Sequence, residues 1–229
     1  MSSKSDVKYS PIVVTYVDHM GSDKTVADAA RVSYDRADFD NSDVSDKDRK
    51  LIGFLAKHRH TSPFEHLSLS VVIKCPMFVR SQIMRHRTFS YNEVSRRYTS
   101  ENIEFFEFES LRQQAKKNLQ CSTDSEVDHP IALKKLMHMH RLDSLRLYNR
   151  LLDEGVAREQ ARSVLPQCLM TSFVMTGNAL NWSRFLKLRL DSHAQEECRV
   201  VAQGCLQHLK DTFPHTVSTF EEHGWLSLG

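Results

Sequence analysis

Glycine and proline are scarce in this chain of 229 residues, 7 and 6 respectively. So few breakers exclude a collagen-like or proline-rich disordered protein and leave room for long helices. Cysteine is sparse too: Cys75, Cys121, Cys168, Cys198 and Cys205 are scattered, odd in number and never in a CxxC pair. That argues against a disulfide framework or structural zinc and points to a reduced, cytoplasmic protein. No apolar run reaches membrane-spanning length, and Met1–Ser10 is polar without a signal-peptide pattern, so no membrane association is expected. Nor does one charge dominate. Lys and Arg number 31 against 29 Asp and Glu, a net +2, too little for a protein that binds polyanions over its whole surface. Forty per cent apolar residues at this length suit one large or two small domains with a sizeable core. There is no internal repeat and no low-complexity linker.

Against that even background, basic residues crowd into one stretch, Arg85–Arg97. Arg85, His86, Arg87, Arg96 and Arg97 surround a single carboxylate, Glu93, with Ser90, Asn92 and Ser95 between them. Arginine presents a planar, permanently charged fork of donors suited to phosphate and carboxylate, and Ser and Asn add short neutral hydrogen bonds. On charge alone the stretch reads equally well as a basic loop for nucleic acid, or as arginines tied up in internal ion pairs.

The surrounding chain shows how this stretch is held. Ile12–Val17 is a β-branched run, read as a first strand. Thr25–Tyr34 reads as a helix with Asp23 as its cap, and Asp46–Arg59 as a second whose Leu51, Ile52 and Leu55 share a face, with an acidic loop at Asp35–Asp46 between. His58, His60 and His66 follow, but no acidic or cysteine partner sits at ligand spacing, so no metal is expected. Leu67–Cys75 alternates, with Leu67, Leu69, Val71, Ile73 and Cys75 on one side, and is a strand. Pro76 opens a helix over Met77–His86, which would place Gln82, Arg85 and His86 on one face at i, i+3 and i+4, with the basic stretch hanging from it as a loop.

Further on, Asn102–Glu109 reads as a strand, Leu119–Val127 as a loop, and Pro130–Glu154 as a long helix closed by Gly155. Leu133, Leu136, Met137, Leu147, Tyr148 and Leu151 form its main apolar face. Met139 and Leu142 point elsewhere, so it is buried or packs on another subunit. Ala157–Leu165 is a short helix carrying Arg158 and Arg162, and Thr171–Thr176 a strand. Gly177–Asn178 then turns the chain into a helix over Asn181–Leu190, followed by an amphipathic helix over Glu196–Phe213. Arg189 falls on the apolar stripe of Trp182, Phe185 and Leu186, where a charge should not be left unpaired. Two uses satisfy that: an internal salt bridge, or a cation aimed at an oxygen-rich ligand.

The spacing in the basic stretch decides between the broader readings. It resembles the signature of the flavin-dependent thymidylate synthases, Arg-His-Arg-x-x-Ser-x-Asn-Glu-x-Ser-x-Arg. Arg85, His86, Arg87, Ser90, Asn92, Glu93, Ser95 and Arg97 fill every fixed position. The segments His60–His66, Arg158–Pro166 and Leu188–Gln195 resemble further blocks of the same family. Two positions depart from it: family members often carry Arg two residues after Asn178, where Leu180 stands, and Arg184 occupies a position that is often Asn or His.

The resemblance implies a methyltransferase and flavoprotein, an FAD-dependent thymidylate synthase that turns dUMP and methylenetetrahydrofolate into dTMP and tetrahydrofolate with NADPH as reductant. The flavin delivers hydride, so no cysteine nucleophile is required. By position, the resemblance assigns FAD to His60, Ser62, Arg85, His86, Arg87, Glu93, Asn178 and Arg184. It assigns dUMP to Gln82, Arg85, Glu93, Ser95, Arg97, Arg162 and Arg189, with Arg189 catalytic through charge stabilisation on the uracil. It also implies an α+β fold with a small antiparallel-rich sheet flanked by helices, one domain over residues 1–229, and a homotetramer whose sites are shared between subunits. No nucleic-acid partner is expected. The competing reading is a non-catalytic nucleotide- or RNA-binding module using the same arginines.

Overall fold

The computed structural model describes residues 6–39, 42–119 and 121–226. The first half of the polar Met1–Ser10 stretch, residues 40–41 in the loop read at Asp35–Asp46, and residue 120 in the loop read at Leu119–Val127 lie outside the described residues. In chain order the elements are β1 (Val13–Met20), α1 (Asp23–Arg31), α2 (Asp46–Lys57), β2 (Ser68–Pro76), α3 (Met77–Ile83), β3 (Ser90–Glu93), β4 (Arg112–Gln114), β5 (Ser122–Glu126), α4 (Pro130–Asp153), α5 (Arg158–Ala161), β6 (Met170–Asn178), α6 (Ala179–Arg189), α7 (Glu196–Thr212) and α8 (Pro214–Glu222). Four strands form one sheet in the order β1-β2-β6-β3, and β4 pairs antiparallel with β5. The class is α+β with a small antiparallel-rich sheet flanked by helices, as expected. The backbone clusters into two compact units. One comprises residues 1–12, 74–83 and 93–172, the other 13–73, 84–92 and 173–229.

The second unit carries most of the sheet. The alternation of β2 is realised in full: Leu69, Val71 and Ile73 are completely buried, while Ser70 reaches across to Thr176 on β6 at 2.8 Å. The apolar stripe of α6 packs beneath, and the Trp182 indole N–H donates to the Leu69 carbonyl at 3.2 Å. α7 packs on β1 and α6, and α8 on α2 and α7. Gly177 on β6 is required by close approach, because a Cβ there would lie 2.4 Å from the Phe89 ring.

One expectation fails in this unit. Ser22, not Asp23, takes the position before α1, its N–H bonded to Thr25 Oγ1 at 3.0 Å. Asp23 is buried inside the helix, and its carboxylate accepts from the backbone N–H groups of His215 and Thr216 at 2.9 and 2.8 Å. It therefore caps α8, and sequence spacing cannot show a cap 192 residues away.

In the first unit, α4 packs on α5 and the turn after it, around a core of Phe105, Leu145, Tyr148, Ala161 and Leu169. Arg141, Ser144, Leu145 and Tyr148 form the buried face of α4. Leu136 and Leu147, read on the main apolar face of a helix either buried or packed on another subunit, are 67% and 47% exposed. Periodicity could not choose the face of a helix apolar on more than one side; contact with Phe105, Ala161 and Leu169 chooses it. The strand read at Asn102–Glu109 shrinks to bridges at Phe105, which pairs with Tyr9 and Leu169. The loop read at Leu119–Val127 contains β5, whose polar, charged residues gave no strand signal and which is held by pairing with β4.

Candidate functional site

The basic stretch leaves α3 earlier than its pattern suggests. The helix stops at Ile83, so Gln82 lies within it while Arg85 and His86 lie beyond, and the three do not share a helical face. No glycine or proline marks that stop. The stretch is also not all loop, since Ser90–Glu93 forms β3 at the edge of the sheet. Val94, the next residue, donates to the Ser172 carbonyl at 2.9 Å.

In the first unit the structure gathers Glu93, Ser95 and Arg162 at one cleft of about 580 Å³, together with Arg80, Arg96, Glu159 and Thr171. A cleft of this size suits a nucleotide-sized ligand. Arg162 is exposed at its wall and, among the described residues, its guanidinium has no hydrogen-bond or ion-pair partner. Ser95 Oγ accepts from the backbone N–H of Arg97 at 3.3 Å, the geometry of a turn and not of a nucleophile with a His relay. Arg97 does not line the cleft. Its Nε is 3.8 Å from Glu159, which does. Gln82 is half-buried on α3, away from the wall.

Glu93 is the best-held group in the cleft. Arg80 Nε donates to both carboxylate oxygens at 3.1 and 3.0 Å, and Arg80 Nη2 donates to Oε2. The buried Thr171 hydroxyl donates to Oε1 at 2.8 Å. A carboxylate offers roughly four lone-pair directions, and these donors take most of them. Sequence reasoning missed both partners. The one local signal was a charge, Arg80, in the otherwise apolar helix start Met77-Phe78-Val79.

The second unit holds the remaining predicted residues. Arg189 ends α6 half-buried, and its Nε donates to His86 Nε2 at 3.1 Å. An arginine Nε always bears hydrogen, so His86 Nε2 accepts and the ring proton sits on Nδ1. Burial, reinforced by the charge of Arg189, pulls His86 down to about 4. Its ring is gripped edge-on by Phe185 at 4.9 Å, and its carbonyl accepts from the Tyr91 hydroxyl at 2.9 Å. Burial pushes that hydroxyl up to about 12, so Tyr91 remains a donor. Arg189 is thus aimed by a neutral histidine held on three sides.

His60 and Ser62 owe their exposure to the way α2 ends. Arg59 adopts a left-handed backbone (φ 59°), its guanidinium lying 5.0 Å over the Trp225 ring and donating to the His223 carbonyl. His60 then stacks against Phe54, at 18° between rings. Ser62 opens a 3-10 turn with Pro63 as its second residue. Arg85, Arg87 and Arg184 are exposed and, among the described residues, their guanidinium groups lack hydrogen-bond or ion-pair partners. Asn178 caps α6, its side-chain oxygen accepting from Asn181 N at 2.9 Å, which leaves its amide donors for other use. Among the described residues no group of three or more His, Cys, Asp or Glu is placed to hold a metal ion.

Comparison with known proteins places this geometry in a family. Residues 15–215 match the family described as "Thymidylate synthase complementing protein". A flavin-dependent thymidylate synthase of Thermus thermophilus is 42% identical over 210 residues, spanning 92% of this chain and 76% of that protein. That of Thermosipho melanesiensis is 38% identical over 208 residues, covering 89% and 88%. Among solved structures, the UMP/dUMP methylase PolB from Streptomyces cacaoi bound with 5-Br dUMP superposes with a TM-score of 0.85 at 32% identity, covering 97% of this chain and all of that one. The same protein with 5-Br UMP gives the same score and identity. The chain is an enzyme that belongs to the flavin-dependent thymidylate synthase family.

Proposed function

We propose that the protein methylates dUMP to dTMP, with methylenetetrahydrofolate as one-carbon donor, NADPH as reductant and FAD as resident cofactor. The observation that carries the reading is the cleft of the first unit, where Ser95 and the Arg162 guanidinium, without a partner among the described residues, line a nucleotide-sized space. Arg162 offers a guanidinium fork for the phosphate, with Arg97 released from its long contact to Glu159 as a second cation. Ser95 supplies a hydroxyl to the nucleotide, and Gln82 and Arg85 complete the dUMP set.

The donor set of the second unit fits a flavin dinucleotide. The pyrophosphate needs cations, and Arg85, Arg87 and Arg184 are exposed, their guanidinium groups without partners among the described residues. The ring system needs neutral donors and a flat face, and His60, Ser62, neutral His86 and the Asn178 amide provide them. Glu93 remains in the FAD and dUMP sets as the carboxylate that Arg80 and Thr171 hold at the cleft wall. Bound FAD supplies the hydride. Arg189 stabilises negative charge on the uracil as its C5 becomes nucleophilic, and stays oriented because neutral His86 accepts from it.

The protein acts as a cytoplasmic homotetramer with sites shared between subunits. Five free thiols suit a reducing compartment, and the exposed Ile131, Leu136 and Leu147 on α4 suit burial against another copy. Purified protein should be yellow and release FAD on denaturation. With dUMP, methylenetetrahydrofolate and NADPH it should form dTMP, with UMP run in parallel because the superposable methylase was solved with brominated forms of both. A colourless protein that takes up no FAD and makes no dTMP would instead be the nucleotide- or RNA-binding module.

A further inference from the structure

We infer that Arg80 is a positioning residue for the nucleotide site: it pins the Glu93 carboxylate and cancels its charge toward the incoming phosphate. The inference rests on the proposed dUMP site, and Arg80 and Thr171 themselves lie outside the family signature. Three guanidinium groups (Arg80, Arg96, Arg162) and two carboxylates (Glu93, Glu159) line the cleft. A nucleoside monophosphate is an anion, and an uncompensated carboxylate at the wall would repel it. Arg80 forks Glu93 through Nε and Nη2, and Thr171 closes Oε1 from β6. Three elements, α3, β3 and β6, thereby fix one acid, with two donors on each of its oxygens.

Arg96 does not share this task. Its guanidinium is spent on the Glu101 and Asn102 carbonyls, and burial lowers it from the ordinary arginine value. Glu159 contacts Arg97, not Arg80. Charge balance at Glu93 therefore falls to Arg80. A lysine could supply the charge but not the planar fork, and this separates the two parts of the role.

The test measures the Kd of dUMP by calorimetry, and dTMP formation, for wild type and the variants Arg80→Met, Arg80→Lys, Glu93→Gln and Arg80→Met/Glu93→Gln. Arg80→Met should weaken dUMP binding at least tenfold. Arg80→Lys should keep the Kd within threefold of wild type while kcat falls at least tenfold, because charge survives and geometry does not. Since Arg80 acts through Glu93, the double variant should bind dUMP within threefold of Glu93→Gln alone. An unchanged Kd in Arg80→Met, an equal loss on adding it to Glu93→Gln, or full kcat in Arg80→Lys would each overturn the inference. Should Arg80→Met fail to fold, Arg80→Lys and the double variant still decide. A wild type that binds dUMP without making dTMP would sink the proposed reaction, while the binding comparison would still test Arg80.

Discussion

Replacing His86 by Gln isolates one proton from the pH dependence of stability. In the folded protein His86 titrates near 4, against an ordinary 6.5, because burial and then the nearby Arg189 charge oppose protonation. At pH 5.5 such a ring is about 3% protonated, where an unfolded histidine is about 90% protonated. The unfolded chain therefore binds more protons between those values, and folding stability must fall as pH drops from about 6.5 toward 4. The gap is worth about 3 kcal/mol. Solvent at the half-buried ring takes part of it, so a loss of about 1–3 kcal/mol is expected over the whole window. Glutamine keeps a carbonyl that can accept from Arg189 but cannot titrate. Carboxylates such as Asp48, which stays ionised below the usual range despite burial because Ser45 and Arg31 hold its charged form, titrate equally in both proteins. Denaturant unfolding of wild type and His86→Gln at steps from pH 7.5 to 4.5 should give curves that diverge below pH 6.5, wild type losing more. Parallel curves, or an imidazole NMR titration centred near 6.5 in the folded protein, would refute a neutral His86 as the partner of Arg189.

Other outcomes follow from the same geometry. Arg189→Ala should lose dTMP formation by orders of magnitude while the protein still purifies with FAD, since the charge acts during reaction; near-normal turnover would make Arg189 structural. Ser95→Ala should weaken dUMP binding by about 1.5–3 kcal/mol and slow turnover without abolishing it, and complete loss of chemistry with intact dUMP binding would count against a hydrogen-bonding role. Gly177→Ala should destabilise by about 1–3 kcal/mol, because the new methyl would overlap a Phe89 ring boxed in by Trp182 at 4.7 Å and Phe185 at 6.1 Å. An unchanged melting temperature would show that Phe89 has room to move.

Sequence by itself determined a good deal here. Eight residues of Arg85–Arg97 at fixed spacing name the family, and a period of two across Leu67–Cys75 names β2 and its buried side. The stripe Trp182, Phe185, Leu186 sets α6 and shows Arg189 as a charge needing a partner. These are features whose information lies within a few residues, where periodicity and side-chain chemistry act directly. Only the tertiary structure decided who those partners are. His86 accepts from Arg189 across 103 positions, and Thr171 reaches Glu93 across 78. Asp23 caps a helix at the far end of the chain, and β5 exists because β4 pairs with it. The early stop of α3 belongs with these, since the chain leaves the helix at Ile83 and seats His86 beneath Phe185 instead of adding another turn. A hydrogen bond between distant residues depends on how the intervening chain folds back, and local spacing carries no record of that path.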